Sequence, residues 1–218
     1  MISHDQMTAL RDGAAEWGIT LSEAQLDAFS IYSTLLEDQN RVMNLTRIPL
    51  AEIVPLHFLD SLSILSIVPL ERGARILDLG SGAGFPGIPL AIARPDLNIT
   101  LLDATNKKVI FLQTVVEKLA LPNCRAVHGR AEEMADRKGQ YACVTARAVA
   151  SMDKLAGWML PFVKKGGVAV AMKSSQATAE IESARKVIQQ QGAFIESVGQ
   201  ISIPGTDITR LLAVLRKR

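Results

Sequence analysis

Arg75-Ile76-Leu77-Asp78-Leu79-Gly80-Ser81-Gly82-Ala83-Gly84-Phe85-Pro86-Gly87-Ile88-Pro89 decides how the rest of this chain is read. An apolar run of strand type enters a turn dense in glycine, and the prolines that follow suit the first turn of a helix. Glycine removes the Cβ atoms that would keep a ligand away from the backbone, and in α/β proteins ligands bind at the carboxyl end of such a strand. The spacing Gly82-x-Gly84-x-x-Gly87 also meets the dinucleotide fingerprint, so by itself it leaves NAD and FAD open. Asp78 points elsewhere. A pyrophosphate needs backbone N–H donors and no neighbouring anion, whereas S-adenosylmethionine has no phosphate and sets an ammonium and a sulfonium against one carboxylate.

Downstream of this turn, short apolar runs alternate with amphipathic segments. Strands are predicted near 75–79, 99–103, 124–128, 141–146, 167–172, 193–201 and 208–215, with helices near 87–93, 106–119, 151–160 and 176–191. Such alternation implies a mainly parallel sheet covered on both faces, and the helix-free Pro204-Gly205 turn implies a terminal antiparallel hairpin. Seven strands in this order predict the Rossmann-like α/β fold of a class I S-adenosylmethionine-dependent methyltransferase. A plain dinucleotide-binding domain would continue in βα units. Asp103 closes the second strand about 20 residues beyond the glycines, where a carboxylate accepts both ribose hydroxyls of a nucleoside. An N-cap for the helix beginning near Asn106 is its structural alternative. The third strand ends at His128-Gly129-Arg130-Ala131-Glu132, placed to border an adenine, with Ala131 offering a backbone amide and Glu132 an acceptor for the exocyclic amine.

Upstream, residues 1–70 read as a helical extension packed on a core of residues 71–218, the two forming one structural domain. Ser22-Glu23-Ala24-Gln25 is a capping-box start, after which Leu26, Phe29, Tyr32 and Leu36 recur at helical spacing, and a second helical stretch runs from about Leu50 to Ile67. At roughly 100–200 residues per domain, 218 residues suit that organisation. Charge is unevenly spread: residues 1–70 hold three basic side chains against nine acidic, and the remainder 21 against 13. The basic surplus lies in the part that carries the chemistry, as a polyanionic partner requires. The N-terminus lacks a basic segment followed by an apolar one, and no apolar run reaches the ~20 residues of a membrane span, so a cytoplasmic protein without a membrane partner is expected. Cys124 and Cys143 match no metal-ligand or redox spacing and read as small core residues; no metal site is expected.

The motifs together resemble the RsmG (GidB) family. They are Asn44-Leu45-Thr46; His57-Phe58-Leu59-Asp60-Ser61-Leu62; Leu77 to Leu90 across the glycine turn; Thr100-Leu101-Leu102-Asp103 with Lys107 and Phe111-Leu112; Arg130-Ala131-Glu132-Glu133; Ala146-Arg147-Ala148-Val149-Ala150-Ser151; and Ala171-Met172-Lys173. The resemblance implies methyl transfer to N7 of guanosine 527, in the 530 loop of 16S ribosomal RNA, with that RNA or the small ribosomal subunit as partner; a monomer is expected. It also implies cofactor contacts at Gly80, Phe85, Ala131, Glu132 and Arg147, to which the reading of the turn adds Asp78, Gly82 and Asp103. The chain departs from the family's usual pattern at Ala146, Val149 and Ser174.

Guanine N7 bears an accessible lone pair and loses no proton on methylation, so no general base is needed. Accordingly, the fourth strand is followed by no Asn-Pro-Pro-aromatic motif and no Pro-Cys nucleophile is present. Arg147 and Lys173 are the candidate catalytic residues: Arg147 to orient cofactor and guanine, Lys173 together with Arg130 to hold RNA phosphates. His57 and Asp60 lie three apart on one helical face, as a structural pair bonded to each other or as part of a flap over the cofactor. Arg216-Lys217-Arg218 reads as a solvated basic tail or a further RNA contact. Three rivals remain: a non-catalytic RNA-binding module on the same fold, an NAD-dependent oxidoreductase, and a methyltransferase of small molecules. The intact turn with Asp78 and Asp103 speaks against the first, Asp78 against the second, and the basic skew of residues 71–218 against the third.

Overall fold

β1 (Arg75–Leu79) runs through the middle of the sheet because every residue after Arg75 is buried, leaving no solvent face to satisfy. The structure, a computed structural model, describes residues 1–147 and 149–218; Ala148 of the block quoted above lies outside it, as does the side chain of Ala135. The other strands are β2 (Asn98–Asp103), β3 (Cys124–His128), β4 (Tyr141–Arg147), β5 (Val163–Ser174), β6 (Ala193–Ser202) and β7 (Thr209–Lys217). They form one seven-stranded sheet in the order β3-β2-β1-β4-β5-β7-β6, parallel from β3 to β5, with β7 antiparallel between β5 and β6. The class I methyltransferase arrangement expected from the sequence is therefore the one observed. Chain order reverses between β1 and β4, so the crevice above their carboxyl ends is the topological switch point where ligands bind.

Helices α1 (His4–Glu16), α2 (Glu23–Met43), α3 (Asp60–Leu62), α4 (Ile64–Ile67), α5 (Gly87–Ala93) and α6 (Asn106–Lys118) contribute to one hydrophobic cluster, built from residues such as Leu10, Phe29, Phe58, Ile64, Ile88 and Leu112. Helices α7 (Met152–Met159), α8 (Thr178–Ser183) and α9 (Arg185–Gln190) form another with Val144 and Ala169 of the strands and Phe162 just before β5. Residues 1–70 thus share a core with the sheet. Cys124 and Cys143 are both buried strand residues with unpaired thiols.

Capping glutamines tie the extension down. Gln25 accepts from the Ser22 amide through Oε1, and its Nε2 donates to Ile92 and Ala93 carbonyls at the end of α5. Gln6 repeats the device at the start of α1, accepting from the Ser3 amide and donating to Leu50 and Ala51 carbonyls. Each glutamine closes a helix start and supplies a donor to orphan carbonyls of another segment. The stretch predicted as one helix from Leu50 to Ile67 instead comprises four short pieces: a 3₁₀ turn at Leu50–Glu52, a π-wound segment at Val54–Leu59, α3 and α4. Pro55 at the start of the π-wound turn has no amide to donate, and widened turns of this kind often occur at functional sites.

Candidate cofactor and active site

The turn after β1 is pinned to β2, the Gly80 and Ser81 amides both donating to the Leu102 carbonyl at 2.8 and 3.0 Å. Gly80 has φ +71°, and a Cβ there would come 2.8 Å from Cγ2 of Val149, which lies over the turn. At Gly87 a Cβ would collide with Leu101 and come within 2.8 Å of Oδ2 of Asp78, so helix α5 approaches the sheet only because the residue is glycine.

Beneath the turn lies Asp78. Its Oδ2 accepts from the Gly87 amide at 2.9 Å, while its Oδ1 is buried without a partner among the described residues. Burial pushes this carboxyl up to about 7, against the amide of Gly87, the Ser81 hydroxyl and the charge of Arg147, which favour the ionised form. The sequence reading placed Asp78 against the ligand. In the structure its side chain supports the turn from below and lines neither part of the cleft described next.

Asp103 ends β2, where its Oδ2 accepts from the Gly82 amide at 2.9 Å and its Oδ1 from the Thr105 amide at 2.8 Å. Thr105, not Asp103, occupies the N-cap position of α6. Around Asp103, Gly80 and Ala104 the surface opens in two lobes, with Val149 on the wall of both. The larger, of about 420 Å³, is walled by His57, Gly82, Ala83, Phe85, Lys108 and Arg147. The smaller, of about 200 Å³, is walled by Leu79, Leu102, Gly129, Ala131, Glu132 and Trp158, with the exposed Arg130 at its rim.

Aromatic packing from the extension forms the back of the larger lobe. Tyr32 donates its hydroxyl to the Ala83 carbonyl at 2.6 Å, tying α2 to the glycine turn, and its ring lies 5.4 Å from that of Phe85. His57 stacks on Phe85 with centroids 4.0 Å apart and planes 2° apart. Arg147 lies 4.8 Å from the Phe85 centroid. Its Nη1 donates to the Leu56 carbonyl at 3.1 Å and to Asp60 at 2.8 Å, and its Nη2 to Nδ1 of His57 at 2.7 Å. An imidazole nitrogen that accepts from a guanidinium carries no proton, so His57 is the neutral Nε2–H tautomer and donates to the Thr46 hydroxyl at 2.7 Å. Burial and the Arg147 charge lower its pKa to about 3.

His57 and Asp60 therefore bond not to each other but to Arg147 between them. Asp60, 1% exposed, accepts a second arginine, Arg210 of β7, at 3.0 Å. Lys173, read from sequence as a phosphate contact, is instead turned inward: its Nζ donates to the Ala150 carbonyl at 2.6 Å and to Glu180 at 2.8 Å. Glu180 also accepts from the Met152 amide at 2.6 Å, so the pair fastens the segment carrying Val149. Sequence reading missed Glu180 and Arg210 and took Tyr32 as no more than an apolar position; Arg210 and Tyr32 act on partners distant in sequence, and Glu180 reaches Lys173 across a strand-to-helix turn that no regular spacing announces.

Across known proteins the chain finds matches along nearly its whole length. The family model described as rRNA small subunit methyltransferase G matches residues 25–208. Ribosomal RNA small subunit methyltransferase G of Lachnoclostridium phytofermentans is 44% identical over 209 residues, 94% of this chain and 86% of that protein. Among solved structures, precorrin-6y C5,15-methyltransferase from Geobacter metallireducens superposes with TM-score 0.56 at 17% identity, over 72% of this chain and 87% of that one. TYW2 of M. jannaschii, in complex with AdoMet, gives 0.54 at 16% over 67% and 68%. The structural likenesses show the class I methyltransferase fold, and the sequence matches show the family: this chain belongs to the RsmG (GidB) family, rRNA small subunit methyltransferase G.

Proposed function

We propose that this protein transfers a methyl group from S-adenosylmethionine to N7 of guanosine 527 in the 530 loop of 16S ribosomal RNA, in the cytoplasm and as a monomer. The observation that carries the reading is the two-lobed cleft meeting at the Asp103 carboxylate. A mostly apolar lobe, a carboxylate at the junction and a more polar lobe against bare glycine backbone fit an adenine, a ribose diol and an amino-acid end in that order. Asp103 would hold the ribose, Ala131 and Glu132 the adenine, and Gly80, Gly82 and Phe85 the methionine end. The cofactor supplies an electrophilic methyl on a sulfonium. Asp78 contributes from beneath, by holding the Gly87 amide and so the shape of the turn.

The protein's own part is orientation. Arg147 spends three of its five N–H groups on Leu56, Asp60 and His57, leaving two to meet the cleft. Those two suit guanine O6 or the carboxylate of the methionine end, and the fixed fork presents them at little entropic cost. His57 is a poor base at a pKa of about 3, and each oxygen of Asp103 already accepts a backbone amide. A nucleophile that sheds no proton is the one such a site can serve. Lys173 acts through the Val149 segment, and phosphate contacts fall to the exposed Arg130 and Lys107. The test is to incubate the protein with S-adenosylmethionine and small ribosomal subunits and map N7-methylguanosine. A single new modification at guanosine 527 is expected, abolished about 100-fold in rate by Arg147→Ala. Modification elsewhere, or none, would overturn the reading.

A further inference from the structure

The basic surplus of residues 71–218 is not confined to the cofactor cleft, where Lys108 and Arg130 stand. At the carboxyl ends of the strands Arg147 and Arg210 share the single carboxylate of Asp60, and Lys173 is paired with Glu180. At the opposite edge, where the parallel strands begin, two clefts of about 440 and 460 Å³ adjoin through Gly73 and Arg75. Their walls carry Arg72, Arg75, Arg125, Lys164 and Arg216, against Glu71 as the one acidic residue. Arg216 is paired with Glu196, but no ion pair involves the other four among the described residues. The exposed Lys138 and Lys165 flank them in sequence.

Two of these arginines are fixed by neutral partners. Arg75 donates to Oε1 of Gln140 at 3.0 Å and lies 5.3 Å from the centroid of the Tyr141 ring. Arg125 donates through Nε to the Thr100 hydroxyl at 3.2 Å. A carboxylate would cancel the charge it positions; an amide, a hydroxyl and a ring face hold the guanidinium in place and leave its charge uncompensated. Preorganised, unpaired cations on an open concave edge are what a polyanion backbone recognises. Tyr141, the aromatic ring at this edge, is buried beneath Arg75, so no stacking platform for single-stranded bases is offered.

We infer that the strand-start edge of the sheet is a second RNA-binding surface, which takes the phosphate backbone of an RNA duplex without reading its sequence. The inference deepens the ribosomal-RNA reading above and rests on it for the identity of the polyanion. β1 is five residues long, so the two edges lie about 17 Å apart. One nucleotide cannot occupy both. The substrate is then folded RNA that presents its target base at one edge and a neighbouring helix at the other, which favours the small subunit over an isolated strand.

The test uses the full chain, a 20-base-pair RNA duplex lacking the target loop, and no cofactor, so that it reads binding and not methyl transfer. Arg72→Gln combined with Lys164→Gln removes two exposed charges whose side chains make no hydrogen bond among the described residues. Duplex affinity should fall about tenfold at low salt, and the slope of log K against log salt should shrink by about 2. The dissociation constant for S-adenosylmethionine should be unchanged. Arg185→Gln with Lys186→Gln, an equal charge loss on α9, should leave duplex affinity within twofold of the parent. Equal losses in both double variants, an unaltered salt slope in the first, or a parent protein that does not bind the duplex would each overturn the inference. If the parent binds the duplex but methylates no guanosine, the proposed reaction fails while this surface stands.

Discussion

Asp78 and His57, both buried, have their pKa values displaced in opposite directions by folding. Burial raises the Asp78 carboxyl from 3.8 to about 7, so the folded state holds this proton more tightly than the unfolded one. Its contribution to stability is full below pH 3.8 and is lost as the pH rises through 7, a change on the order of 4 kcal/mol. Burial and Arg147 lower His57 from 6.5 to about 3, so its contribution is full above pH 6.5 and is lost as the pH falls toward 3. Between pH 3.8 and 6.5 the two slopes oppose, and the parent protein should show a nearly flat stability there. Asp78→Asn keeps an acceptor for Gly87 without the charge. It should raise the melting temperature by several degrees at pH 8, and it should uncover the His57 slope of about 1.4 kcal/mol per pH unit below pH 6.5. Denaturant titrations at a series of pH values measure this; superimposable profiles for variant and parent would refute it. The position of Asp78 before the turn was legible in the sequence, but its direction was not. A strand residue's facing follows from the pleat only once the sheet's neighbours are known. The partners of Arg147 likewise lie on the π-wound segment and the start of α3, about ninety residues earlier.

At the scale of elements, strand existence and order were legible because the central strands β1, β2 and β4 are buried and read as nearly continuous apolar runs, whereas the edge strands β3 and β6 are mixed in sequence and partly exposed. What eluded periodicity were segments whose shape is dictated by their packing. The 176–191 stretch divides at Ala184 into α8 and α9, and β5 begins at Val163, ahead of its apolar run, because Tyr141 pairs with Val163 before the register shifts. Residues 50–67 break up where Arg147 and Arg210 converge on Asp60. The division at Ala184 leaves Glu180 on a separate short helix, facing Lys173 and the Met152 amide. This joint has a consequence that separates a structural lysine from a phosphate-binding one. Glu180→Gln and Lys173→Met should each weaken S-adenosylmethionine binding about fivefold, equivalent to about 1 kcal/mol, by loosening the Val149 segment. Neither should alter the salt dependence of RNA binding. Calorimetry and salt titration of both variants check this; a reduced salt slope confined to Lys173→Met would restore the phosphate contact expected from sequence.

Over the whole molecule, the question is whether residues 1–70 behave as an attachment or as part of the folding unit. Their aromatic residues Phe29, Tyr32 and Phe58 share a buried cluster with Phe85, Ile88 and Leu112, and Tyr32 holds the turn itself. Asp60 ties the extension to β4 and to the C-terminal hairpin at once. Removing one side of such an arrangement strips apolar surface from the other and leaves Arg147 without its buried counter-ion, so we propose that the two parts fold as one unit. The chain carries two tryptophans, placed to test this. Trp17 packs against the cluster on one face of the sheet, and Trp158, on α7, against the cluster on the other. Trp17→Phe and Trp158→Phe therefore leave a single fluorescent reporter on each face in turn. The two variants should unfold in urea in one transition each, and the midpoint followed by fluorescence should match that followed by circular dichroism in the same variant. S-adenosylmethionine at 100 times its dissociation constant should raise stability by about 2.7 kcal/mol as reported from either face. Trp158 lines the smaller lobe, so its emission should also respond directly to the cofactor in the folded state, while Trp17 emission stays constant. A Trp17 transition that precedes loss of the sheet's signal, or that ignores the cofactor, would mean that the extension folds as an independent part.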